Sequence, residues 1–264
     1  MGMKKYFLVV KTALLDQLAY PARFFSSLFV NGIVLLVSFL LWQTIFQGKV
    51  AIEGFTLPSI ITYYSVVFAL KNLGAGWEPS SVISKSIRDG SLSLFLLKPL
   101  HFGIYLFSKT STSNVLKSIF PALVLAFGTL FFKNVLLWPH NLLLFLPSTL
   151  LAMLIAYLVY SLTGLIGFWT LEVWGIAVAS GRLIAILNGS LLPLNFLPDS
   201  LLRVAKFLPF QYMYYVPVSI YLGRIGSVEA LKQIFLQAVW VVLLLLFYVF
   251  LWRKGIKRYD SAGI

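Results

Sequence analysis

Six long apolar runs divide this chain, and none of its eight carboxylates falls inside one. The runs cover approximately residues 24–46, 57–73, 116–132, 142–169, 176–196 and 234–252. Helical segments of roughly 17–25 apolar residues match the hydrocarbon thickness of a bilayer and are longer than the buried helices of a soluble core. Composition agrees: hydrophobic residues make up 60% and charged residues only 11% of the 264 residues, far from the balance of a soluble domain. The placement of the carboxylates narrows function too. Carriers that run on an ion gradient, and enzymes that do acid–base chemistry in the bilayer, usually place an ionisable group at depth. Charge kept in the loops points instead to a conduit driven from outside itself.

The net charge of +13 suggests nucleic acid until its placement is read. Lys4, Lys5, Lys11 and Arg23 precede span one, and Lys71, Lys85, Arg88, Lys98, Lys109 and Lys117 cluster around the connection between spans two and three. Arg182 marks the loop before span five, and Arg253, Lys254, Lys257 and Arg258 follow span six. The opposite side holds Lys49, Lys133, Arg203, Lys206, Arg224 and Lys232. Fifteen against six is a positive-inside bias that places both termini in the cytoplasm and the chain in the cytoplasmic membrane. Topology and anionic headgroups account for the basic excess, so no nucleic-acid partner is expected. The run at residues 6–10 is too short for a signal-peptide core and is interrupted by Lys11, so span one is expected to be retained. Lys71 ends the short second span, where it can snorkel to the headgroups; at the bilayer centre it would cost about 2.5–3.5 kcal/mol.

Three segments stand outside the spans, all within a single transmembrane domain over 1–264. Residues 1–23 read as an N-terminal interfacial helix. At 100° per residue Lys4, Lys5, Lys11 and Asp16 share an arc of about 140°, although Leu8 and Leu15 intrude, and Pro21 breaks the element. Residues 77–108 form the main cytoplasmic island: Pro79 suits a first helical turn, Gly90 suits a stop, and Ile83 and Ile87 stack at i, i+4. A second short helix or extended piece runs from Ser91 to Leu97. On the far side, 193–230 carries Pro193, Pro198, Pro209 and Pro217 in strongly apolar surroundings. Its pieces are too short to span and too apolar for a solvated loop, so half-helices that re-enter the outer leaflet are expected. Tyr212, Tyr214, Tyr215 and Tyr221 read as an aromatic belt at the interface. No internal repeat pairs this break with one in the first half, unlike inverted-repeat carriers.

Several chemistries lack their residues. No G-x-x-x-x-G-K-[ST] phosphate loop occurs; the nearest imitation, Gly175 to Arg182, has the wrong length and opens an apolar span. The chain is therefore not expected to hydrolyse ATP. Cysteine is absent, His101 and His140 are isolated, and the carboxylates Asp16, Glu53, Glu78, Asp89, Glu172, Asp199, Glu229 and Asp260 never cluster. No catalytic, cofactor-binding or metal site is expected. Glu172, flanked by Trp169 and Trp174, reads as a cap of the fifth helix or a partner for a basic group.

Four stretches, in order, resemble the permease subunits of the type-2 ATP-binding-cassette export family. They are Ser86-Ile87-Arg88-Asp89-Gly90-Ser91-Leu92-Ser93 running on to Leu97-Lys98-Pro99-Leu100; Phe168-Trp169 with Glu172 and Trp174-Gly175; Pro193-Leu194 with Phe196 and Pro198; and Leu208-Pro209-Phe210 followed by Pro217 and Ile220-Tyr221-Leu222-Gly223. The tail Trp252-Arg253-Lys254-Gly255 with Arg258-Tyr259 also fits. Lys85-Ser86 departs from the pattern, since relatives often carry an acidic residue there. The resemblance implies an all-α membrane protein: six transmembrane helices, an N-terminal interfacial helix, a cytoplasmic coupling helix between spans two and three, and re-entrant half-helices before span six. It implies as partners two copies of an ATP-binding-cassette ATPase subunit and a second permease, itself or a paralogue, within membrane lipid. Ile87, Arg88, Asp89, Gly90 and Leu92, with Ile83 on the same helix, become candidate coupling residues; Pro193, Phe196, Pro198, Pro209 and Phe210 become candidates for an outer gate. The expected function is a path for a hydrophobic or amphipathic cargo, exported when a partner hydrolyses ATP. The alternative is a non-transporting scaffold or insertase-like helper; a secondary transporter or membrane-embedded enzyme ranks lower.

Overall fold

Capping and breaking residues set most helix ends. Thr56 opens α3 (Leu57–Leu73) with a reciprocal capping box: its hydroxyl accepts from Ser59 N–H at 3.4 Å while Ser59 Oγ accepts from Thr56 N–H at 2.8 Å. Asn141 caps α7 (Leu142–Leu165) by accepting from Leu144 N–H at 3.1 Å. Pro21 is the first residue of α2 (Pro21–Ile45), directly beyond α1 (Gly2–Ala19). The computed structural model describes residues 2–19, 21–74, 76–131, 135–170 and 173–261. Apart from one isolated bridge between Ile52 and Phe55, the regular structure there is helical. The remaining elements are α4 (Glu78–Arg88), α5 (Ser91–Leu96), α6 (Phe102–Phe131), α8 (Val173–Leu187), α9 (Asp199–Phe207), α10 (Tyr215–Tyr221) and α11 (Ser227–Ser261), with 3₁₀ turns at Ile166–Phe168, Leu194–Phe196 and Pro209–Tyr212.

Three stretches are long and apolar enough to cross a membrane: Phe102–Phe131, Leu142–Phe168 and Ser227–Tyr259, joined by the shorter apolar helices Gly32–Ile45 and Val173–Leu187. The expected fourth and sixth runs agree with α7 and α11. The third helix starts at Phe102 rather than near residue 116, because its polar first half satisfies itself. Ser108, Thr110 and Thr112 donate to the carbonyls four residues back at 2.7–2.8 Å, and Asn114 Nδ2 donates to Gly74 O at 2.9 Å. The fifth run is not one helix. α8 stops at Leu187, where Asn188 Oδ1 accepts from Ser190 N–H (2.8 Å) and Gly189 adopts φ +79°, a turn that a longer span cannot contain. Arg182 lies exposed inside α8, not in a loop before it. Glu172 and Lys133 lie outside the described residues.

α7 and α11 form the centre of the core, with α3, α4 and α6 packed around them. Gln237 locks this centre: fully buried, its amide donates to Ser148 O (3.2 Å) and Tyr212 O (3.1 Å). α1 lies along α6, burying Val9 and Ala13 and pairing Gln17 with Ser113 Oγ at 3.2 Å. Phe7, Leu8 and Leu15 remain exposed on its outer side beside Lys4 and Lys11.

Candidate functional site

The island between α3 and α6 is bolted to the rest of the chain by its apolar side. Ile83 and Ile87 of α4 are buried, as are Leu92 and Phe95 of α5. α4 can lie this close because α7 presents no side chain beneath it: a Cβ on Gly164 would sit 2.9 Å from Ser80 Cα, Ser80 O and Ile83 Cβ. Gly167, in the following 3₁₀ turn, faces Ser84 Cα at 3.3 Å in the same way. The end of α11 closes the block. Tyr259 Oη donates to Gly90 O (3.2 Å) and shares a hydrogen bond with Ser93 Oγ (2.8 Å). Phe168 fills the space left by Gly255 and makes edge contacts with Trp252 and Tyr259 at 5.9 and 6.1 Å.

The turn between the two helices is built by Asp89 and Gly90. Gly90 takes φ +75°, a conformation that costs other residues. Asp89 Oδ1 accepts from Ser91 Oγ at 2.7 Å and from Ser91 N–H at 3.0 Å. Those two hydrogen bonds, with the nearby Lys85 and Arg88 cations, hold its carboxyl below the usual carboxylate range. The carboxylate is therefore charged and fixed while facing water.

The six candidate coupling residues thus fall into two groups. Ile83, Ile87 and Leu92 face inward and anchor the island; Arg88 and Asp89 face outward; Gly90 makes the turn between them. The structure adds Lys85, Leu94 and Leu97 to the outward face, the two leucines 68% and 85% exposed. Their signal lies in Ser91-Leu92-Ser93-Leu94-Phe95-Leu96-Leu97, which has more apolar residues than one buried face can use. A small cleft of about 130 Å³ borders the same surface, lined by Trp77, Ser81, Lys85, Arg88 and Trp174 among others.

The opposite end of α7 holds the proline-rich segment. Pro193 and Pro209 are buried, Pro198 precedes α9, and Phe196 sits in an aromatic cluster 5.8 Å from both Trp42 and Phe55. Phe210 packs between the main core and the small core of Leu187, Leu194 and Ala205. The tyrosines here are not an interfacial belt. Tyr212, Tyr214 and Tyr221 are buried, and Tyr215 Oη donates to Asn195 Oδ1 at 2.8 Å. Tyr63 Oη donates to Gly189 O (2.7 Å), and Arg224 stacks 3.7 Å over the Phe55 ring while donating to Gly54 O at 3.0 Å. Burial won because the segment folds back onto α3 and α7. His140 packs against Gly223 and donates its N–H to Tyr221 O at 2.8 Å, a structural contact.

The island touches α7 at Gly164, and the proline-rich segment touches it at Phe145, whose ring lies 5.2 Å from Tyr221. At 1.5 Å per residue these contacts are about 28 Å apart. Along the flank, α2 and α3 enclose an apolar hollow of about 460 Å³ that also takes in Tyr64, Lys71 and Ser190. Among the described residues, no group of three potential metal ligands occurs.

No curated protein matches this sequence. A protein family does: residues 32–263 match the ABC-2 family transporter protein. Permeases of that family generally pair with ATPase subunits and typically lack an ATPase domain themselves. The match covers both ends of α7 and all but the start of the first apolar run, and so the chain belongs to the ABC-2 transporter family as a multi-pass membrane protein.

Proposed function

We propose that this chain is the permease subunit of an ATP-driven exporter, crossing the cytoplasmic membrane six times with both termini inside. α4 and α5 dock on a separate ATPase, two copies of which serve a pair of permeases. The observation that carries this reading is the two-sidedness of the island. Ile83 and Ile87 seat it on the end of α7, Phe95 packs on Phe102 and Tyr105 of α6, and Tyr259 ties it to α11, while Lys85, Arg88, Asp89, Leu94 and Leu97 stay outward and uncovered. A mixed charged and apolar surface on a rigid base suits a protein partner and transmits its displacement.

The far end receives that motion. α10 and the 3₁₀ turns on either side of α9 act as the outer gate, and α9 turns Leu201, Val204 and Phe207 outward to the outer leaflet. The hollow along α2 and α3, apolar except for Tyr64, Lys71 and a few hydroxyls, suits a hydrophobic or amphipathic cargo. Co-reconstitution with the ATPase tests the reading: ATP and magnesium should drive cargo movement only when both proteins are present. Transport by this chain alone on a proton or sodium gradient would refute it.

A further inference from the structure

Another concave site lies where α6, α7 and α11 meet, away from the cleft and the hollow described above. It is a groove of about 600 Å³ to which neither α2, α3 nor α8 contributes. Phe107, Tyr157, Leu245 and Tyr248 wall it, and His101 and Arg253 stand at one end. Its depth comes from Gly103, where a Cβ would lie 2.8 Å from Tyr248 Oη; Tyr157 Oη ties the same residue by donating to its carbonyl at 2.7 Å. Trp252 stacks on Phe102 (5.6 Å) and Tyr248 (6.2 Å), so the wall is preformed.

Charge is arranged at the mouth alone. Arg253 and His101 are exposed there, and no carboxylate lines the groove. Lys5 Nζ donates to Pro99 O (3.4 Å) and Tyr6 Oη accepts from His101 N–H (3.3 Å), which brings the basic start of α1 to the same rim. An apolar trough of this size closed by cations is complementary to a long acyl chain carrying an anionic head.

We propose that the groove binds an anionic membrane phospholipid, one acyl chain along Leu245 and Tyr248 and the phosphate between Arg253 and His101. The leaflet is the one at the Arg253 end, cytoplasmic under the topology proposed above. A bound lipid here braces the junction of α6 with α11 directly beside the island.

Native mass spectrometry of the detergent-purified chain tests this, with palmitoyl-oleoyl phosphatidylglycerol and phosphatidylcholine as probes. One phosphatidylglycerol should be retained about fivefold better than phosphatidylcholine, the ratio that one well-placed cation supplies. Arg253→Gln should bring the two within about twofold, whereas Lys98→Gln, outside the groove, should keep the preference. Leu245→Trp, which fills the trough, should weaken both lipids about tenfold. Equal retention of the two lipids by the native chain, or loss of preference in Lys98→Gln to the same degree as in Arg253→Gln, would overturn the site. The chain has no cysteine, so Val249→Cys adds a unique thiol at the groove. A disulfide between two such copies would show that a second chain covers it instead, and would also overturn the proposal. None of these outcomes bears on ATP-driven export.

Discussion

Gly164→Ala should loosen the island without disturbing the rest of the bundle. The new methyl would lie 2.9 Å from Ser80 Cα, Ser80 O and Ile83 Cβ, where carbon contacts settle near 3.5–4.0 Å. Two of those three atoms are backbone and cannot rotate aside, so α4 must retreat by roughly 0.6–1 Å. Overpacking of this kind costs about 1–3 kcal/mol. Alanine returns up to about 1 kcal/mol through helix propensity, less in a last turn. The net loss is therefore about 1–2 kcal/mol, equivalent to a roughly 5- to 30-fold rise in the detached population. Trypsin reads that population directly, because Lys85 and Arg88 lie on the exposed side of α4 and cleavage requires local opening. In nanodiscs the variant should be cut at these sites roughly 5- to 30-fold faster. Gly167→Ala is the control: its Cβ would meet Ser84 Cα at 3.3 Å and Ile87 Cδ1 at 3.5 Å, close enough for small adjustments, and its rate should stay within about threefold of native. Equal rates for all three proteins would refute close α4–α7 contact as what holds the island.

Arg88→Glu combined with Asp89→Lys should reduce copurification of the ATPase at least tenfold while membrane insertion persists; undiminished copurification would remove this face from the interface. Gln237→Leu abandons Ser148 O and Tyr212 O and should cost about 1–3 kcal/mol, seen as a lower unfolding midpoint in detergent. Asp89 predicts a pH dependence. Because its carboxyl titrates below the unfolded value near 3.9, its support for the turn is complete above that pH and is lost as pH falls through the lower folded value. Hydrogen exchange at Ser91 and Leu92 reads the turn over the range in which that support is complete. Protection there should hold from pH 8 to 5 in the native chain and be weaker throughout that range in Asp89→Ala.

The membrane class was legible because bilayer thickness imposes a length on apolar runs that composition alone exposes. The island was legible through Pro79, Gly90 and the Ile83–Ile87 spacing, which act locally. What escaped were features decided by contacts distant in sequence. Ile83 and Leu92 share one short stretch with Arg88, yet the close packing that turns Ile83 inward depends on Gly164, more than seventy residues away. The tyrosines of 212–221 carry the composition of an interfacial belt, and only the fold-back onto α3 and α7 buries them. The break in the fifth run had a sequence signal, Asn188-Gly189 followed by Pro193, but hydropathy averaged over a window masks a two-residue turn.

The fold offers a physical reason why motion at one end should be felt at the other. α7 joins the island at Gly164 to the outer segment at Phe145, and α11 does the same between Gly255 and Gln237, about 27 Å apart. The two helices pack along each other, so they behave as one paired strut. A helix pair packed at interior density has little slack: a displacement of an ångström at the island cannot be absorbed by rotamer changes along 18 residues of close contact. It can be taken up where helical continuity is broken, at the 3₁₀ turns and prolines from 193 to 217, short pieces joined to their surroundings by side-chain hydrogen bonds such as Tyr215 to Asn195 and Gln237 to Tyr212. Continuity in α7 and α11 and its interruption in the proline-rich segment are thus complementary. Under the function proposed above, the first carries the displacement of a docked ATPase and the second is where that displacement is taken up.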